Sequence, residues 1–318
     1  MSQLSSRLKK MGIEVGTGQF GSASTTFTHG LLGSALSVNP KTDVKAVPEV
    51  RGGFMTRRVT TNAGIDRDLT VNFPLDLGDM ASGNVGQFLA AIFGVDTVGA
   101  AVGGIYPHVF TRLDDSQPPW FNIYSDKDPV PKQYMGFRPK TVKFTLKAGE
   151  GLIDTAVTGA VQSEETFSNP GTLVFSGSPI VTPQQVTVSV GLCDVFYEEI
   201  TLEITRDNEA FRIVGPSRDI HDLLTKSFQI KLTCKGLVMP SEVIRNAFLA
   251  GTSDQIVLTL TDGAGKTLVF NFPEMFYTVY DGPDLKDTDI LKVSIDSIVT
   301  NDNYNVTLHN NRSTAFTA

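Results

Sequence analysis

The amino-acid sequence predicts a mainly β chain: two related β-sandwich or barrel-like domains (residues 49–165 and 166–318), each with one short flanking helix, behind an extended N-terminal arm (residues 1–48). Three observations lead there. Short stretches alternate apolar and polar residues with period two, the pattern of strands with one buried face. Gly and Pro punctuate those stretches as turn formers do, and no long helical pattern intervenes. The order strand, helix, strands then occurs twice at nearly the same spacing.

The arm comes first. Gly16-Thr-Gly-Gln-Phe-Gly-Ser-Ala-Ser-Thr-Thr26 can bury little apolar surface. Its composition fits a segment that orders on a neighbour and equally a disordered tail. From Phe54 the texture is β. Asp68–Asp76 alternates with period two, and Val85, Phe88, Leu89, Ile92 and Phe93 fall on one face of a helix. Asn84 is placed to cap its start and Gly94 to end it. Strand patterns follow at Tyr106–Arg112, Trp120–Tyr124, Thr141–Leu146 and Leu152–Val161.

The second half repeats this order. Ser227–Cys234 alternates, Ser241 precedes a helix over Glu242–Ala250, and Gly251 stops it. Ile256–Thr261 and Thr267–Phe272 flank a hairpin signal at Asp262-Gly-Ala-Gly265, and Ile290–Val299 closes the unit. From strand start to helix-ending glycine is 26 residues in the first half (68 to 94) and 24 in the second (227 to 251). The polar, Pro-bearing stretch 162–170 separates the halves.

Composition excludes several classes. Charged residues are 19% of the chain, below the quarter or so of ordinary soluble domains, with Ser, Thr, Asn and Gly in their place. The net charge of −7 and the lack of a Lys/Arg-rich run argue against sequence-independent nucleic-acid binding, which needs clustered cations. No apolar h-region follows the N-terminal charges and no apolar run reaches transmembrane length, so the expectation is a soluble protein made in the cytosol. Cys193 and Cys234 read as two buried thiols in preference to one disulfide, and no metal or redox motif contains them.

Chemistry-bearing motifs are weak. Gly16-x-Gly18-x-x-Gly21 matches a dinucleotide loop formally, but no amphipathic helix follows it. His29, His108, His221 and His309 are scattered without ligand spacing. His221 lies among carboxylates, but no nucleophile motif accompanies it. Glu198, Glu199, Glu203, Asp207 and Glu209 form an acidic group in which two carboxyls could serve a glycosidase. Alternation puts Glu199, Thr201, Glu203 and Thr205 on one strand face and Ile200, Leu202 and Ile204 on the other. That is an ordinary solvated strand, and equally the acidic wall of a channel. The reading is of no catalytic residue, no cofactor and no metal.

Several of these stretches resemble the tail tube (major tail) proteins of long-tailed bacteriophages, the longer duplicated type. They are Asp68-Leu-Thr-Val-Asn-Phe-Pro-Leu-Asp76 with the helix ending at Phe93-Gly94, Pro118-Pro-Trp-Phe-Asn-Ile-Tyr124, Tyr134–Phe144 and Glu150–Ala160. In the second half they are Glu199–Asn208 and Asn271-Phe-Pro-Glu-Met275, so that the resemblance spans most of Val50–His309. It implies a virion protein whose rings, trimeric and pseudo-hexameric or else hexameric, stack into a hollow tube for DNA ejection. The implied partners are further copies of itself, a tape measure protein inside the tube, and tail terminator and tip proteins at its ends; DNA transits without tight binding and no membrane is involved. Asp154, Glu199 and Glu203 are the candidate lumen-facing acids, since a negative wall would repel DNA rather than hold it. The competing reading is a carbohydrate-binding or adhesin-type β-sandwich, for which Trp120 is the only tryptophan and falls in a strand pattern suited to burial.

Overall fold

The computed structural model describes residues 10–17, 19–31, 35–42, 45–51, 54–60, 65–78, 85–113, 119–126, 130–168, 170–190, 193–194, 197–211, 219–237, 242–281, 293–299 and 303–316. The chain is mainly β with two short helices. In its first half come β1 (Met11–Val15), β2 (His29–Gly30), β3 (Ala35–Thr42), β4 (Lys45–Arg51), β5 (Phe54–Thr60), β6 (Ile65–Pro74), α1 (Val85–Phe93), β7 (Gly94–Val98), β8 (Tyr106–Arg112), β9 (Phe121–Ser125), β10 (Lys132–Lys147), β11 (Asp154–Val161) and β12 (Ser163–Thr166). The second half holds β13 (Val186–Val190), β14 (Cys193–Asp194), β15 (Glu199–Phe211), β16 (Asp222–Leu237), α2 (Glu242–Ala250), β17 (Ser253–Thr261), β18 (Thr267–Asp281), β19 (Val293–Val299) and β20 (Asn305–Asn310).

Both helices occupy the residues their apolar spacing predicts. Gly94 (φ 102°) and Gly251 (φ 63°) end them in a conformation that side chains with a Cβ disfavour. The expected caps Asn84 and Ser241 lie outside the described residues. Within the stretch expected as an arm, the described strands pair within their own chain. β1 runs along β9 and β3 along β6, and Met11, Ile13 and Phe27 are buried.

The two halves share one connectivity. In the first, β1 pairs β2 and β9, β9 pairs β10, β10 pairs β12 and β11, β11 pairs β6, and β6 pairs β3. In the second, β13 pairs β14 and β17, β17 pairs β18, β18 pairs β20 and β19, β19 pairs β16, and β16 pairs β15. Each of the seven pairings has its counterpart, and all are antiparallel.

The match extends to irregularities. Met135-Gly136 bulge between β10 and β9, and Pro273-Glu274 bulge between β18 and β17. Lys140 is skipped between β10 and β11, and Thr278 between β18 and β19. Both correspondences have one offset, 138 positions. Bulges bend a strand and re-aim it, so β10 and β18 each leave one sheet and enter another.

The halves are fused edge to edge. The C-terminal part of β10 pairs with β15 over Thr141–Lys147, giving one eight-stranded order β3-β6-β11-β10-β15-β16-β19-β18. The halves therefore share one continuous sheet. Among the described residues, seventeen pairings connect the eighteen strands of this system in a branched order. Among the described residues two hairpins have no counterpart in the second half: β4–β5, paired there only with itself, and β7–β8, which joins the edge of β20.

One face of the eight-stranded sheet is core. Val71, Val142, Phe144, Ile200, Leu202, Ile230, Leu232 and Ile295 are buried there, and the N-terminal parts of β10 and β18 carry the second layer across it. Phe144 meets Phe270 of that layer at 5.4 Å between ring centroids. All nine residues of α1 are buried, with Phe88 wedged between Phe73 and Phe121. Aromatic contacts of this kind, together with the area they bury, dominate core energetics.

Candidate functional site

The opposite face of the eight-stranded sheet is polar, because alternation puts every second residue there. Its rows can be read across the ladders. One row is Ser37, Thr70, Thr158, Thr141 and Thr205. Its hydroxyls meet directly, Thr70 Oγ1 to Thr158 Oγ1 at 3.0 Å and Thr141 Oγ1 to Thr205 Oγ1 at 3.4 Å. The next rows are Lys143, Glu203 and Lys231, then Asp154, Thr145, Thr201, Thr233 and Asp296, then Lys147, Glu199 and Lys235.

Asp154, Glu199 and Glu203 thus share the face on which the sequence places them, and the structure adds what alternation along one strand cannot show. Each glutamate lies between two lysines of neighbouring strands. Lys235 Nζ donates to Glu199 Oε1 at 3.4 Å, and Lys231 Nζ lies 3.0 Å from Asp296 Oδ2. Partial burial opposes ionisation of Asp296. Hydrogen bonds from Thr233 and Lys231 and the nearby charges of Lys231 and Lys235 nevertheless hold its carboxyl below the ordinary range. Four carboxylates and four ammonium groups occupy these rows, so the face is charge-paired rather than acidic. Exposed pairs of this kind contribute little stability, about 0–1 kcal/mol each. Directly opposed charges do fix strand register.

The ends of this sheet are its second feature. Among the described residues β3 pairs only with β6, and Tyr277–Asp281 of β18 pairs only with β19. Ser37, Asn39 and Pro40 are exposed on the first edge, and Val279 and Asp281 on the second. Unpaired edges offer rows of backbone donors and acceptors to another chain.

Two buried arginines tie the halves together, and sequence pattern gave no sign of either. Arg206 of β15 is 1% exposed. It donates from Nη1 to the carbonyl of Ile92 (3.1 Å) and from Nη2 to that of Leu113 (2.9 Å). A cation at a helix C-terminus complements its dipole. Arg138 of β10 donates to Asp222 Oδ1 (3.0 Å) and the Leu223 carbonyl (2.6 Å), with the Phe20 ring 4.6 Å from its guanidinium carbon. A third tie is the C-terminal segment. Asp96 Oδ2 meets His108 Nδ1 at 2.9 Å and accepts from the Phe316 amide at 2.8 Å. His108 Nε2 is 2.9 Å from the Arg312 carbonyl, and the ring of Phe316 covers Gly86, where a Cβ would come within 2.6 Å of it.

The other motifs resolve into packing. Gly16 abuts Trp120, whose ring lies 2.0 Å from where a Cβ would stand, and Gly21 (φ 76°) is pressed onto Gln162, so close approach accounts for these glycines without a nucleotide. No helix follows them. Trp120 is 7% exposed and meets Phe20 edge-on, which removes it from any sugar-stacking surface. His221 lies against Phe211 on an exposed turn. Cys234 is a free thiol in the core, and burial first, then the charge of Asp296, push it up to about 12. Among the described residues no three His, Cys, Asp or Glu side chains gather as a metal site would need, and no helix is long and apolar enough to cross a membrane. No protein-family model matches the chain. Nor does any curated protein.

Proposed function

We propose that this chain is a structural, self-assembling subunit of a phage tail tube, built to join edge to edge with further copies of itself. The observation that carries the reading is the doubled connectivity. Two halves with the same seven pairings are fused through β10 and β15, and among the described residues the equivalent edges, β18 and β3, carry no further strand at the two ends. An object with complementary ends of this kind adds head to tail, and head-to-tail contacts close into rings when the rotation allows. Each chain supplies two positions, so three chains make a pseudo-hexameric ring, and stacked rings make the tube.

In that reading the polar face is the wall past which DNA leaves the virion. DNA carries one charge per ~1.7 Å of axis and binds surfaces rich in unpaired cations. Here each lysine of the rows faces a glutamate across the ladder, so these rows form no stripe of unpaired cations to grip the duplex, and like charge need not do all of the repelling. The tape measure protein would fill the lumen before ejection, and terminator and tip proteins would cover the open ends of the stack.

Negative-stain microscopy of concentrated protein tests this. Rings or tubes with three chains per ring are expected. Monodisperse single chains at high concentration, or rings with six chains, would overturn it in whole or in its stoichiometry.

A further inference from the structure

The repeat defines more than the existence of a joint, because it specifies which residues meet. We infer that β18 of one chain pairs with β3 of a second copy in the single antiparallel register that sets Asp281 opposite Asn39, Tyr280 opposite Pro40 and Val279 opposite Lys41. The inference deepens the tube-subunit reading and rests on it.

The register follows from the ladders alone. The bulges equate β10 with β18 at an offset of 138, so Thr141, Val142 and Lys143 correspond to Val279, Tyr280 and Asp281. The same offset equates Thr158 of β11 with Asp296 of β19. Thr158 pairs with Thr70 and Asp296 with Thr233, and these pair with Ser37 and Thr201 in turn. β3 therefore maps onto β15 at an offset of 164. β2 and β14 give the same 164 by a separate route, through β1 and β13. Within the chain, Thr141, Val142 and Lys143 stand opposite Thr205, Ile204 and Glu203. Carried to the open ends, that ladder becomes the one stated.

Side-chain placement agrees at the positions described. Lys143 and Glu203 lie on the polar face, and their counterparts Asp281 and Asn39 are exposed. Val142 and Ile204 are core. Val142's counterpart Tyr280 is partly buried and stacks on Phe248 of α2 at 5.9 Å, whereas Ile204's counterpart Pro40 is exposed in the single chain. Leu36 and Val38 of β3 pack against the core, as their counterparts Ile200 and Leu202 do. Proline within sheets is confined mainly to edges and strand starts, so Pro40 marks β3 as an end strand, and the Tyr280–Pro40 pair has one donor fewer than its internal model. The two joints consequently differ. The internal one is set by Lys143–Glu203 and Lys147–Glu199 pairs, while the external one carries a lone carboxylate at Asp281. A weaker external joint lets the chain fold on itself before it meets a neighbour.

Asp281→Cys with Asn39→Cys tests the register in the full chain. Directly opposed residues sit within disulfide reach, whereas a shift of two along the strand exceeds it. After mild oxidation of assembled protein, this pair should link copies into covalent multimers. Asp281→Cys with Ser37→Cys, either single variant, and the parent chain with its own Cys193 and Cys234 should not. Linking by the Ser37 pair instead would overturn the register. Rings on the grid with no link in either pair would overturn the strand joint while leaving the tube reading standing. Absence of both rings and links would remove both. A non-covalent arm uses Asn39→Asp, which sets two carboxylates face to face and should raise the concentration needed for half-assembly severalfold. Adding Asp281→Lys should restore it, and failure of that rescue also counts against the register.

Discussion

The two halves share a connectivity and differ in how it is finished. In the first, α1 is buried along its whole length, under β7–β8, the C-terminal segment and Arg206 from the other half. In the second, α2 has Ile244 in the core but leaves Leu249 66% exposed, and no inserted hairpin follows it. The lesson is that a repeated strand order does not dictate burial. What covers a helix is a neighbouring element, and the first half has its neighbour inside the chain.

The comparison is sharpest at the helices. Phe88→Ala on α1 should cost about 3–5 kcal/mol, as expected when a packed aromatic is removed from a core. Leu249→Ala on α2 should stay within about 0.5 kcal/mol in the dispersed chain. Thermal or denaturant unfolding below the assembly concentration measures both, and similar losses would erase the distinction.

Arg206→Met addresses the tie between the halves. The Ile92 and Leu113 carbonyls would lose a buried donor, a loss of about 1–3 kcal/mol. Urea midpoints of the variant and the parent chain measure the loss.

A smaller effect of opposite sign is expected at the seam, where Asp76 after β6 approaches Asp262 and Lys266 of the β17–β18 turn. Burial raises the Asp76 carboxyl above its usual range, and Asp262 adds to this. Hydrogen bonds from Ser176 and Gly78 and the charge of Lys266 oppose it. Its Oδ2 is buried without a hydrogen bond. The folded chain therefore holds the proton more tightly than the unfolded one. Stability from this group is full below the unfolded carboxylate range, near pH 4, and falls as pH rises through the folded value. Asp76→Asn should gain about 1 kcal/mol at pH 7 and nothing near pH 3, as read from unfolding curves at the two pH values. The smallest effect is at Cys234. With its thiol pushed up to about 12, it should resist alkylation at pH 8 until the chain unfolds.

Much of the fold was legible in local pattern. The apolar face of Val85–Phe93 and the glycine after it delimit α1 to the residue, and Glu242–Ala250 does the same for α2. β10 was legible only over Thr141–Leu146, because its first half, from Lys132, is buried on both sides where it crosses between layers and so does not alternate. β3 was hidden in Gly- and Ser-rich sequence, since its strand character comes from its partner β6 and not from its own propensity. Of the candidate site, Asp154, Glu199 and Glu203 were placed on one polar face by period two. The four lysines beside them were equally visible in the sequence, at Lys143, Lys147, Lys231 and Lys235, but nothing local said they would be neighbours.

By itself, then, the sequence determined which side of the alternating strands faces water, where the two helices start and stop, and that a strand–helix–strand order occurs twice. Those are consequences of residue periodicity and turn chemistry, which act over a few positions. Only the tertiary structure decided that Glu203 stands between Lys143 and Lys231, that Arg206 closes a helix more than a hundred residues away, and that β3 and β18 are left as ends. Register and edge status depend on which strands meet and in what alignment. One residue of slip would turn every side chain to the other face, so that choice is made by the packed core as a whole.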